Sequence, residues 1–202
     1  MKKKEKRRAL YLFVDGTNLY AAQYELFGPK EYLNFSEFIK EIQRKIKIKF
    51  DKIYFYASYS PKSKQSTKKQ RAYLKNEALF YRSVKETKNT VFFKGYRSKT
   101  SGKEKEVDVK LAVDIVDFAH LDKYDNLFLL SGDADFMHAL TKAVKLKKKV
   151  AILALENRIP NRFVYFYKTF ILKFDLVEEI KINKKQRIKI VCLKRSKIIK
   201  TL

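Results

Sequence analysis

Residues 127–136 read LFLLSGDADF. Four apolar residues run into Ser131-Gly132 and then meet two carboxylates, Asp133 and Asp135, before Phe136 restores apolar character. A short continuous apolar run closed by a turn marks a strand buried on both faces, as in a parallel sheet covered by helices. The pattern recurs. ALYLFV at 9–14 stops at Asp15-Gly16, and IYFYASY at 53–59 stops at Ser60-Pro61. VFFKGY at 91–96 leads into the charged loop RSKTSGKEKE, and VAILAL at 150–155 forms a fifth run. Between them the apolar period turns helical. Asn34 then Glu37 has capping-box spacing, ahead of Phe38, Ile39, Ile42 and Ile46. A Lys-rich loop at 62–69 precedes Tyr73, Leu74, Leu79, Phe80 and Val84; Leu111, Ile115 and Phe118 share one side of 107–121; DFMHALTKAVKL covers 135–146. Strands alternating with helices predict an α/β fold with a largely parallel sheet and helices on both faces.

Beyond residue 156 the pattern weakens to a helix at 161–172 and a short edge strand at 174–180. The tail from Lys181 alternates basic and apolar residues around Arg187–Lys194, which suggests another strand. A chain of 202 residues suits one domain, here divided as a basic segment 1–8, a domain 9–180 and a basic extension 181–202.

Forty-seven Lys and Arg against 22 Asp and Glu leave a formal net charge of +25. Such a potential attracts polyanions, nucleic acid first among them. The lysines are scattered, however, and a compositional bias toward Lys, Ile, Asn, Phe and Tyr would give the same total. The single cysteine, Cys192, excludes an internal disulfide framework and reads as a small apolar strand residue; with two histidines there is no Cys/His zinc spacing. The opening MKKKEKRRALYLFVDG imitates a signal peptide, but Asp15 cuts its apolar stretch short of the about 7–15 residues required. No run approaches a membrane span, so a soluble, cytoplasmic protein is expected.

The acids at the strand tips carry the chemistry. In open parallel α/β sheets ligands bind beyond the carboxyl ends of the strands, at the switch point. Asp15 ends the first strand, Asp133 follows the fourth, and Asp108 opens the helix after the charged loop. With the first and fourth strands adjacent, these three carboxylates meet on one edge. Clustered carboxylates repel unless protonated or bridged by a cation, and a hard oxygen-only site suits Mg²⁺ or Mn²⁺. Each acid also has a plainer role: an Asp at a strand-to-helix junction is often a helix cap, which applies to Asp108 and Asp135. Asp114 shares a helical face with Lys110 and reaches toward the site edge, while Asp117 suits a solvated stripe. Asn18 could bond a carboxylate or phosphate, or cap the first helix. Thr17 and Ser131 are hydroxyls suited to orienting the acids rather than attacking substrate, since no His stands near them in sequence. His138 reads as a helix-surface residue.

VDGTN at 14–18, KEVDVKLAVD at 105–114 and LSGDADF at 130–136 resemble, in order and spacing, the motifs of the NYN domain family, in particular its LabA-like branch. That family belongs to the PIN-like nuclease superfamily, related in fold to the FLAP nucleases. The resemblance spans about 9–180. It implies a three-layer α/β/α fold and metal-dependent cleavage of RNA phosphodiesters. It matches Asp15, Asp108 and Asp133 to the acidic metal site, Asp135 and Asp114 to further acidic positions, and Asn18 to the Asn of the first motif. Glu106 stands where a Gly often precedes the Val-Asp pair, a departure that touches the loop and not the acid. The implied cofactor is Mg²⁺ or Mn²⁺ and the implied partner RNA, single-stranded by preference; no membrane partner is expected, and self-association is left open.

Two other enzyme classes fall away. A haloacid-dehalogenase phosphatase needs a nucleophilic Asp where this chain has Phe13, and five glycines supply no Gly-rich phosphate loop. The surviving rival is a nucleic-acid-binding or regulatory module of the same fold without turnover. For backbone contacts the loops flanking the site offer Lys62, Lys64, Lys68, Lys69, Arg71, Arg97, Lys99, Lys103 and Lys105; solvated loop charges are the plainer account. Tyr59, Tyr96 and Arg97 lie near strand ends, where they could stack on bases or belong to the core.

Overall fold

A computed structural model of the chain describes residues 9–27, 33–61, 67–97, 104–155, 175–183 and 186–193. The strands are β1 (Leu10–Asp15), β2 (Lys52–Ala57), β3 (Thr90–Lys94), β4 (Tyr96–Arg97), β5 (Glu104–Lys105), β6 (Asn126–Leu130), β7 (Lys149–Leu155), β8 (Asp175–Asn183) and β9 (Gln186–Leu193). The helices are α1 (Gly16–Phe27), α2 (Phe35–Ile46), α3 (Lys68–Glu86), α4 (Val107–His120) and α5 (Met137–Lys145). Seven strands form one sheet in the order β3-β2-β1-β6-β7-β9-β8. The first five are parallel, and β9 and β8 add antiparallel at one edge. Each apolar run of the sequence became a parallel strand, so the expected α/β fold is the one formed. The alternating tail supplies β9, inserted between β7 and the edge strand β8. The helix expected at 161–172 lies outside the described residues.

Side-chain alternation along the strands builds two cores. Leu12, Val14, Ile53 and Phe55 face one side, where they bury Leu19, Tyr20, Phe38, Ile42 and Phe80 of α1, α2 and α3. Phe13, Tyr56, Leu127 and Leu129 face the other, against Leu111, Ile115, Leu140 and Val144 of α4 and α5. The chain therefore crosses one face after β1 and the other after β6, and these two strands are neighbours in register, with Val14 beside Leu130. That arrangement is a topological switch point, and it opens a crevice at the carboxyl ends of β1 and β6.

Three local readings change. Helix α3 begins at Lys68, inside the segment read as a loop, because Thr67 and Gln70 form a full capping box. Lys68, Lys69 and Arg71 are thus helical. At Asn34 only half of a box forms: its side chain accepts the Glu37 N–H at 3.2 Å, while the Glu37 carboxylate turns to Lys40 at 2.7 Å. The charged stretch after β3 is closed at its base, where Tyr96 pairs with Lys105 and Arg97 with Glu104.

Candidate active site

Asp15 is the last residue of β1 and is 4% exposed. Two residues on from Phe13, it points to the same face, toward α4. Both of its oxygens are engaged. Oδ1 accepts the Asn18 N–H at 3.0 Å, and Oδ2 accepts the Ser131 hydroxyl at 2.9 Å. Ser131 in turn accepts the Asp133 N–H at 3.0 Å, and Asn18 Oδ1 accepts the Gly132 N–H at 3.1 Å. The tips of β1 and β6 are therefore laced together by one hydroxyl and one amide, which fixes the Asp15 carboxylate against its neighbours.

Burial is the main force on Asp15: it pushes the carboxyl up from 3.8 to about 7, and the charges of Asp108 and Asp133 push the same way. The bonds from Asn18 and Ser131 oppose that rise without cancelling it. Asp108, in the first turn of α4, is exposed, and Asp133 is half-exposed. Among the described residues no group of three or more His, Cys, Asp or Glu side chains is drawn together as a metal cage. Asp108 and Asp133 are open to solvent, and like charges have no reason to converge without a cation between them. The arrangement is one buried carboxylate acted on by two water-facing ones.

Such a site suits a hard divalent cation. Mg²⁺ keeps several of its waters and binds through one or two carboxylates plus substrate phosphate rather than through an all-protein cage. Asp15 would hold the ion, with Asp108 and Asp133 at its flanks; every donor is oxygen.

Asp135 is exposed in the 3-10 turn Ala134–Phe136, and its N–H donates to Asp133 Oδ1 at 2.9 Å. Asp114 is buried on α4, where it accepts the Tyr56 hydroxyl at 2.8 Å and pairs with Lys110 at 2.5 Å. Tyr56 is the register partner of Asp15, so this triad holds α4, and with it Asp108, against the sheet beside the site. Tyr56 escaped the sequence reading because a tyrosine inside an apolar run reads as core; the Lys110–Asp114 spacing of four was visible. Thr17 is half-buried in the first turn of α1. Glu106, directly before α4, has φ 71°, a left-handed conformation that favours glycine. That is the conformational reason a glycine suits this position.

Lys68, Lys69 and Arg71 are exposed on the first turn of α3, and Arg97 is half-buried, its Nε donating to the Tyr59 carbonyl at 3.0 Å. Lys62, Lys64, Lys99 and Lys103 lie outside the described residues, as does the side chain of Lys105. Tyr59 packs edge-on against Tyr81, whereas Tyr96 is 55% exposed. Glu77, unremarked in the sequence, is buried on α3 and accepts both the N–H and the hydroxyl of Ser60, at 3.0 and 2.7 Å. It pins the segment that leaves β2. His120 and His138 are exposed on the ends of α4 and α5. Among the described residues no helix is long and apolar enough to cross a membrane.

The chain matches the crystal structure of a protein of unknown function from Vibrio parahaemolyticus, with a TM-score of 0.54 and 20% identity, over 82% of this chain and 92% of that one. That likeness is one of fold. A T5 5′-exonuclease with bound zinc also matches, with a TM-score of 0.49 and 17% identity, over 72% of this chain and 55% of that one. Comparison with curated proteins gave no match. The NYN domain model matches residues 9–172, most of the chain and all of the strand tips that bear the acids, and the chain belongs to the NYN domain family.

Proposed function

We propose that this protein is a Mg²⁺- or Mn²⁺-dependent nuclease that hydrolyses phosphodiester bonds of single-stranded RNA, of the LabA-like branch of the NYN family and the PIN-like superfamily. The observation that carries this reading is Asp15: a carboxylate buried at a switch point, raised to about 7 by burial and by two neighbouring acids, in a chain of net charge +25. Held by Asp15, a divalent ion would supply charge to offset that on the phosphate's non-bridging oxygens and would make water a readier nucleophile.

The protein's own groups divide the remaining work. Ser131 and Asn18 hold Asp15 in one orientation. Asp108 and Asp133, open to solvent beside Asp15, would add their negative charge to its hold on the cation. Asp135, exposed beside Asp133, would accept the proton that the attacking water gives up. Hydrolysis forms a phosphorus–oxygen bond to water and breaks the one to the leaving sugar oxygen, which takes up a proton. The loop and helix cations near the strand tips hold the flanking phosphates.

Labelled single-stranded RNA incubated with purified protein tests this. Cutting is expected with Mn²⁺ and not with EDTA, and Asp133→Asn should cut roughly 100-fold more slowly while binding RNA as well as the parent does. Equal residual cutting by parent and variant would mark a contaminant and favour the non-catalytic binding module.

A further inference from the structure

The outer surface of α3 carries an uneven share of the positive charge. Lys68, Arg71, Lys75, Ala78, Arg82 and Lys85 recur at alternating spacings of three and four, and all are exposed. Such spacing makes a single stripe along a helix, about 25 Å long at 1.5 Å per residue. The acids of α3 do little to offset it: Glu77 is buried, and Glu86 pairs with Arg82 at 2.9 Å. In α2, by contrast, Glu37 and Glu41 pair with Lys40 and Arg44. A general excess of lysine would charge α2 and α3 alike, yet of these two only α3 has a nearly unopposed face.

The stripe has a direction. Glu77 receives Ser60, three residues beyond the end of β2, so the turns of α3 before Glu77 stand above the carboxyl edge of the sheet, where the acids lie. At its far end Lys85 sits 5.0 Å over the Phe92 ring of β3 and donates to the Tyr59 hydroxyl at 3.1 Å. Lys94 covers the same Tyr59 ring at 5.4 Å. Beyond Lys94, Tyr96 is the most exposed aromatic side chain among the described residues. Cations in a line with an open aromatic ring beside them are the elements of a single-strand track: lysines follow the phosphates, and a ring stacks a base.

We propose that the exposed face of α3, with Lys94 and Tyr96 of the adjoining edge, binds single-stranded nucleic acid and leads it toward Asp15. The direction rests on the nuclease reading, but the binding does not. The Arg82–Glu86 pair is no obstacle, since an ion pair this exposed is weak and a phosphate competes with it readily.

Binding of a fluorescent oligouridylate of about 20 nucleotides by the full chain in EDTA, where nothing is cut, tests the track apart from catalysis. The double variant Lys75→Glu/Lys85→Glu is compared with Lys142→Glu/Lys145→Glu, an equal change of charge on α5, on the opposite face of the sheet. The α3 double should weaken binding roughly 30-fold and flatten the salt dependence by about 1.4, the value for two single-strand phosphates. The α5 double should change it about 2-fold through net charge alone. Tyr96→Ala should weaken binding of the oligouridylate, or of its DNA counterpart, and leave an abasic strand unaffected. Equal losses in the two doubles, no loss in either, or duplex bound as tightly as single strand would overturn the proposal. A protein that binds as predicted yet never cuts in Mn²⁺ would keep the track and refute the nuclease.

Discussion

Asp15→Asn is expected to give a protein that no longer cuts RNA and yet is harder to unfold. In the native protein the Asp15 carboxyl is raised from 3.8 to about 7, chiefly by burial. Between those values the folded state holds a proton that the unfolded state has released, so stability falls as pH rises, and the loss is complete above about pH 7. At about 1.4 kcal/mol per pH unit the ionised carboxylate costs on the order of 4 kcal/mol. Asn removes the charge and keeps an acceptor for the Asn18 N–H, while its amide can donate to Ser131 where the carboxylate accepted. A net gain of roughly 2 kcal/mol remains, about 5 °C in melting temperature for a chain of this size. The gain should be present without metal at about pH 8 and vanish near pH 5, because the native protein regains about 1.4 kcal/mol for each pH unit below the raised value of Asp15. Mn²⁺ should stabilise the native protein at pH 8 and leave the variant unmoved. Cutting should fall roughly 1,000-fold. Thermal melts at the two pH values, with and without Mn²⁺, read all of this. A variant less stable than the parent at both would show that Asp15 carries no buried charge to relieve.

Gly16→Ala, one residue along, should act in the opposite sense. A Cβ on Gly16 would stand 2.1 and 2.4 Å from the Phe55 ring and 2.8 Å from the Tyr56 carbonyl. The ring cannot retreat, because Phe55 is fully buried among Phe35, Phe80, Tyr81 and Phe92. The carbonyl belongs to the central sheet. Overpacking in a core typically costs about 1–3 kcal/mol, and with backbone also in the way at least ~3 kcal/mol is expected, or about 6–12 °C. The shift would carry Asp15 with it and weaken metal binding. Gly132→Ala is the control: its Cβ would meet Asn18 Oδ1 at 3.7 Å, an ordinary contact, so a loss under about 1 kcal/mol is expected. Equal melting of Gly16→Ala and the native protein would contradict the packing described. Gly16 is thus demanded by helix α1 lying close on β2.

Asp15 and Asp133 could be placed from the sequence because each follows an apolar run, and the topology of a parallel sheet brings such ends to one edge; Asp108 could be placed because it opens the helix after the charged loop. Adjacency of β1 and β6 followed from the usual order of these sheets, and Asp15, Asn18, Ser131 and Asp133 are duly linked. What could not be read was whatever depends on depth. The sequence sets Asp114 on one helical face with Lys110, toward the site edge, and only the packing of α4 on β2 shows it buried against the Tyr56 hydroxyl. Glu77 looked like any helical glutamate, yet it is the buried acceptor that holds Ser60. The start of α3 was hidden because Lys68 to Arg71 contain no apolar residue to set a period; the signal was the Thr67–Gln70 pair. The track on α3 was masked by the same total charge that pointed to nucleic acid, for a sum says nothing about which helix face lacks acids.

Asp15, with Asp108 and Asp133 beside it, is proposed to bind a divalent cation. Anomalous diffraction from crystals soaked in Mn²⁺ near pH 8 tests it most directly. One strong peak is expected roughly 2.1 Å from an Asp15 oxygen, on the side facing Asp108 and Asp133, and no such peak in Asp15→Asn crystals. Manganese that leaves Asp15 bare, or that settles on other carboxylates with Asp15 uninvolved, would contradict it.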